Sequence, residues 1–163
     1  MDIKKLWNIL FYAVLIGLAI YFVKRKFIVP SIAAEELIFQ NYMVPETVQL
    51  ADYQNKIVVV NFWQTWCGPC IHEMPTLNQM NEIWNGLQVI CVSDEPYEKV
   101  SKYIEIYPNI DFVTVENFSR FGVTQFPSTY IYNSEGAKVY SKIGSKNWSD
   151  PNFIATLKKN WSR

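Results

Sequence analysis

Cys67 and Cys70 enclose Gly68 and Pro69 in the stretch NFWQTWCGPCIHEMP, residues 61–75. Two thiols at this spacing can exchange a disulfide with a substrate or supply half of a tetrahedral metal site; they can also be two buried thiols with no chemistry at all. Their setting favours exchange. The β-branched run IVVVNF (57–62) has the pattern of a central strand covered on both faces. From Gly68 onward Ile71, Met74, Leu77, Met80, Ile83 and Trp84 recur at threes and fours, the spacing of a helix that ends near Asn85-Gly86. Strand, tight turn and helix together put the first sulfur at a helix N-terminus. Free backbone N–H groups and the positive dipole end stabilise a thiolate there and create a nucleophile near neutral pH. Cys67 is therefore the expected attacker. Cys70 lies further into the helix and is less exposed, so it can resolve a mixed disulfide without meeting the substrate first. Gly68 and Pro69 shape the entry and favour the first turn.

The metal alternative needs four ligands, and only Cys67, Cys70, His72 and Cys91 are on offer. Cys91 falls inside an apolar strand pattern and His72 sits two residues from Cys70, so no metal and no other cofactor is expected. Haem attachment requires C-x-x-C-H, and Ile71 follows Cys70. Cys91 reads as a small core residue, with a regulatory thiol as the alternative, and His72 as a solvated helix residue, with tuning of the nearby thiolate as the alternative. Trp63 reads as packing, and Trp66 as either packing or a ring on the surface beside the nucleophile.

The remaining elements frame this site. Residues 31–56 suit an entry segment with one or two short strands. LQVICVS (87–93) is a second buried strand, PYEKVSKYIEIY (96–107) a second helix, and DFVTV (111–115) a short strand. ENFSRFG (116–122) reads as a brief helix closed by glycine, STYIYNSEGAKVYSKIG (128–144) as a hairpin, and DPNFIATLKKNW (150–161) as a helix capped by aspartate and opened by proline. Pro75 falls inside the helix that follows Cys70, removes one hydrogen bond and is expected to bend it.

Fifteen basic residues balance fifteen acidic ones, but five of the basic residues lie in residues 1–26 against one acid there. Residues 27–163 carry ten basic and fourteen acidic side chains, a net of −4. No clustered basic field remains to attract nucleic acid. Between the basic clusters, Leu6 to Val23 has Asn8 as its one strongly polar residue. As a helix this stretch spans about 27 Å, close to the hydrocarbon thickness of a bilayer. Trp7 and Tyr21 near its ends suit the membrane interface. The expected division is an anchor with a basic stem at 1–29 and one domain at 30–163. A cleaved signal peptide is the rival reading, with SIA at 31–33 as a cleavage-like site, but the trio Lys24, Arg25 and Lys26 lies in the way. Charge barely decides orientation: Lys4, Lys5 and the amino terminus oppose that trio.

The stretch VVVNFWQTWCGPCIHEMPTL resembles the thioredoxin superfamily, in particular the membrane-anchored disulfide reductases of the TlpA and ResA type, which also serve cytochrome c maturation. The likeness covers about residues 35–160 and continues at FGVTQFPSTYIYNSEGAKVYSKIG. It implies an α/β fold with a central mixed sheet flanked by helices, and protein-disulfide reductase activity through Cys67 and Cys70. It also implies a soluble domain on the extracytoplasmic, periplasmic side, with a disulfide-bearing client and an upstream thiol electron donor, a membrane protein among the candidates. Pro127 is implied as a cis-proline facing the dithiol, and the backbone of Phe126 as an edge that pairs with an extended substrate. Trp66, Gly68 and Pro69 complete the implied substrate surface. Asn61 stands where cytosolic thioredoxin carries a buried aspartate. Glu73, one helical turn beyond Cys70, matches a glutamate of the ResA type that would take up the proton Asn61 cannot; by spacing alone it is equally a solvated acid complementing the helix dipole. Two readings of another class stay open: a thiol-based metal-binding module and a non-catalytic adaptor.

Overall fold

The computed structural model describes residues 3–27, 30–53 and 55–161. Its centre is one seven-stranded mixed sheet in the order β2 (Thr47–Gln49), β1 (Ile38–Asn41), β5 (Ile110–Thr114), β4 (Leu87–Ser93), β3 (Ile57–Phe62), β6 (Ser128–Tyr132), β7 (Lys138–Ile143). Strands β3, β4 and β5 run parallel, joined by helices α2 (Gly68–Ile83) and α3 (Tyr97–Ile106). Beyond β3, the hairpin of β6 and β7 adds two antiparallel strands. Beyond β5, β1 and β2 do the same. Helix α4 (Pro151–Trp161) closes the described chain, with Asp150 Oδ1 accepting from the N–H of Asn152 at 2.8 Å. That is the cap expected of an aspartate before the first turn.

Every residue of β3 is buried, so this strand is covered on both faces. Successive side chains of a strand point to opposite faces, and the two cores divide by that parity. Ile57 and Val59 pack with Leu77 and Met80 of α2, Val100 and Tyr103 of α3, and Ile154 and Leu157 of α4. Val58, Val60 and Phe62 pack on the other side with Leu37, Phe39, Phe118, Phe121 and Tyr130. Among the described residues no long helix covers that second face. Chain around Ile32–Phe39 and a single turn of 3-10 helix at Phe118–Phe121 do so, the turn ending at Gly122 with φ +66°, a left-handed conformation that glycine adopts without strain. By the same parity Asn61 faces α2, and this brings a polar side chain under the dithiol helix.

Helix α2 is continuous through Pro75, and the Thr76 hydroxyl donates to the Glu73 carbonyl at 2.8 Å. Helix α1 (Ile3–Phe27) contains a stretch, Lys4–Phe22, long and apolar enough to cross a membrane by length and composition, and none of that stretch is buried against protein.

Candidate active site

Strand β3 delivers the chain to Cys67 through a short loop. Trp63 N–H donates to the Val92 carbonyl at 3.0 Å, extending the sheet by one residue, and Cys67 N–H donates to the Gln64 carbonyl at 3.1 Å, closing a turn. Cys67 then caps α2: its sulfur accepts from Cys70 N–H at 3.3 Å. In this structure the two cysteines form a disulfide, with their Cα atoms 5.3 Å apart. Cys67 is 5 % exposed and Cys70 is fully buried, the order of access expected of an attacker and a resolver. Gly68 and Pro69 are exposed, and a Cβ on Gly68 would meet nothing within 4 Å, so this glycine leaves bare surface beside the sulfur without being demanded by packing.

A second loop meets the first. The Phe126–Pro127 peptide bond is cis, as the resemblance implies. Pro127 is buried, and its carbonyl accepts from Gly144 N–H at 2.8 Å. Phe126 is half-buried, packs against the core that contains Cys67 and Cys70, and meets the Trp66 ring edge-on at 5.9 Å between centroids. Trp66 itself is 70 % exposed while Trp63 is fully buried against Tyr103 and Phe112. The two tryptophans thus separate cleanly into a surface ring and a core ring.

Glu73 is neither solvated nor free. It is 1 % exposed, and its carboxylate accepts hydrogen bonds at Oε1 from Asn61 Nδ2 at 2.8 Å, and at Oε2 from Lys146 N–H at 3.0 Å and Trp148 Nε1 at 2.9 Å. Burial pushes its carboxyl above the ordinary glutamate range, while the donors from Trp148, Lys146 and Asn61 pull the other way without cancelling the effect. Asn61 is itself held by donating to Thr129 Oγ1 at 2.9 Å, and Cys91 Sγ lies 3.9 Å from its Oδ1. Register explains this cluster, since Asn61 is paired with Cys91 on β4 and with Thr129 on β6, all on the α2 face. Burial drives the Cys91 thiol well above its usual pKa, and the Glu73 charge adds to that. His72 is exposed. No group of three or more His, Cys, Asp or Glu side chains able to hold a metal forms among the described residues.

Sequence reasoning missed Thr129, Lys146 and Trp148. Thr129 needed the β3–β6 register, and the other two lie in a loop whose composition gives no sign of contact with α2. It also missed Thr65 and Glu95, which bind the loop before Cys67 to the end of β4.

A parallel strand, a turn, Cys-x-x-Cys at a helix N-terminus and an opposing cis-proline loop define a thioredoxin-like protein. The chain belongs to the AhpC/TSA family, whose model matches residues 29–139. Among curated relatives it is 32% identical over 95 residues to the thiol-disulfide oxidoreductase ResA of Geobacillus thermodenitrificans, a match covering 54% of this chain and 55% of that protein. It is 30% identical over 99 residues to the thioredoxin-like protein YneN of Bacillus subtilis, covering 56% and 58%. The chain thus spans little more than half the length of the curated relatives it matches. In fold it is similar to the thioredoxin domain of a thiol-disulfide oxidoreductase from Bacteroides vulgatus, with a TM-score of 0.64 at 20% identity over 82% of this chain and 98% of that one. A thioredoxin family thiol:disulfide interchange protein from Chlorobium tepidum gives the same score and identity over 80% and 97%.

Proposed function

We propose that this protein is a membrane-tethered thiol-disulfide oxidoreductase that reduces disulfides of extracytoplasmic proteins through Cys67 and Cys70. The observation that carries the reading is the Cys67 sulfur capping α2 with Cys70 N–H directed at it, next to an exposed surface. In the reduced state that N–H and the helix dipole stabilise the Cys67 thiolate. The thiolate attacks one sulfur of the client disulfide, that S–S bond breaks, and the released client sulfur takes up a proton. Cys70, giving its proton to Glu73, then attacks the Cys67 sulfur; the mixed disulfide breaks, the second client sulfur leaves as a thiolate that takes up a proton from water, Glu73 releases its own proton to water, and Cys67–Cys70 is left oxidised. Two electrons have passed to the client, so an upstream thiol donor must restore the pair.

A protein client fits better than a small molecule. Trp66 and Phe126 offer rings on a surface, and a cavity of about 530 Å³ at Lys56, Val58 and the β6–β7 turn does not include the dithiol. No hydrogen bond to the Phe126 backbone is made among the described residues, which leaves an edge for an extended client segment. Residues 1–29 serve as anchor and stem and residues 30–163 as the reductase domain. The apolar α1 supports the tether; the extracytoplasmic side and clients in cytochrome c maturation come from the resemblance alone.

The full chain in detergent, reduced and freed of small thiols, should transfer electrons to insulin disulfides in proportion to its Cys67–Cys70 content. No transfer would overturn the activity and leave an adaptor role. A reporter fused to the C-terminus should be active only in the exported compartment; cytoplasmic activity would reverse the orientation and leave the chemistry standing.

A further inference from the structure

We propose that Glu95 is a positioning residue that clamps the loop carrying Trp66 and Cys67 and so decides how well a protein disulfide is engaged. This rests on the redox reading above. Thr65 N–H, in the loop between β3 and α2, points to no strand or helix partner. One carboxylate meets it and its own side chain: Glu95 Oε2 accepts from Thr65 N–H at 2.6 Å and Oε1 from the Thr65 hydroxyl at 2.8 Å. The neighbouring pair repeats the arrangement, with Gln64 Nε2 donating to Asp94 Oδ1. Two consecutive residues after β4 therefore hold two consecutive residues before Cys67.

The clamp is itself fixed. Glu95 is 7 % exposed, its N–H donates to Ser93 Oγ at 3.2 Å, its carbonyl accepts from the Tyr42 hydroxyl at 2.7 Å, and Lys99 Nζ lies 3.6 Å from Oε1. Trp66 follows Thr65 and is largely exposed, and the ring contact it makes is with Phe126. Charge-assisted hydrogen bonds to both a backbone N–H and the hydroxyl of one residue restrict that residue more than a neutral turn does. Releasing Thr65 frees Trp66 to leave the surface against which a folded client packs. A small disulfide needs access to the Cys67 sulfur and no such surface.

The test compares two probes in single turnovers of the reduced full chain, counting the thiols lost: insulin, and hydroxyethyl disulfide. For Glu95→Ala the insulin rate constant should fall by about 10- to 100-fold, the scale of a displaced reacting group, while that for hydroxyethyl disulfide stays within about twofold. Glu95→Gln should restore the insulin rate, because its amide can accept from Thr65 N–H and donate to the Thr65 oxygen. Thr65→Ala, which keeps the N–H bond and loses the hydroxyl one, should fall between and serves if Glu95→Ala does not fold. Equal losses on both probes, no loss on insulin, or failure of glutamine to rescue would each overturn the clamp. A native protein inert to both probes would instead overturn the redox reading, and the clamp with it.

Discussion

Cys67→Ser should bring reduction of insulin disulfides to background, while Cys70→Ser should stop turnover by accumulating a covalent complex with the client through Cys67. The difference follows from position. Cys67 caps the helix, is the more exposed of the two sulfurs and receives an N–H bond, so it is the sulfur a client meets and the one whose thiolate is stabilised. Serine in its place is a weak nucleophile with no means of forming a mixed disulfide. Cys70, fully buried, is the sulfur proposed to attack Cys67 once the client is attached. Without it the mixed disulfide persists and runs as a reducible adduct on a non-reducing gel. Adducts with Cys67→Ser, or normal turnover by Cys70→Ser, would exchange or cancel the assignment.

Glu73→Gln should slow resolution of the mixed disulfide by about 100-fold, the lower range for loss of a positioned proton acceptor. Its carboxyl is raised by burial, which brings its proton exchange closer to working pH. Glutamine keeps an oxygen for the donors from Lys146 and Trp148 but cannot take a proton. Stability supplies an independent check. A carboxyl with a raised folded-state pKa favours folding fully below its ordinary value of 4.5, and that contribution is lost as pH rises through the folded value. The denaturant midpoint of the native protein relative to Glu73→Gln should therefore decline as pH rises above the ordinary value of 4.5. Trp148→Phe, which removes a donor that pulls the pKa down, should push the Glu73 carboxyl further up and move the pH profile of turnover with it. Unchanged resolution and a flat midpoint difference would return Glu73 to a purely structural role.

Most of the frame was legible because it depends on local pattern. The β-branched run at 57–62, the helical spacing after Gly68, the turn residues at 133–136 and the Asp150-Pro151 start each specify their element within a few residues, and the sheet strands and helices lie there. The dithiol was legible for the same reason: strand, turn and helix are consecutive, so the sulfur falls at a helix end without any long-range information. Asn61 and Glu73 were legible as residues and not as a pair. Twelve residues separate them, and their 2.8 Å bond depends on Asn61 facing α2 by strand parity and on Glu73 lying on the buried side of α2. Spacing left Glu73 open between surface and core, and burial at 1 % decides for the core. The contacts made by Trp148 and Glu95 were not legible at all. Trp148 reaches Glu73 across 75 residues and Glu95 reaches Thr65 across 30, and neither loop has a periodicity from which its direction could be read.

The most direct measurement is the redox equilibrium of the Cys67–Cys70 pair, obtained by incubating the full chain in dithiothreitol or glutathione buffers and counting its free thiols. The expected result is one reversible two-electron transition at a potential more negative than about −220 mV, towards the value of about −270 mV for thioredoxin. A potential near about −120 mV, that of a strong oxidant, or no reversible transition between these two cysteines, would contradict a reductase.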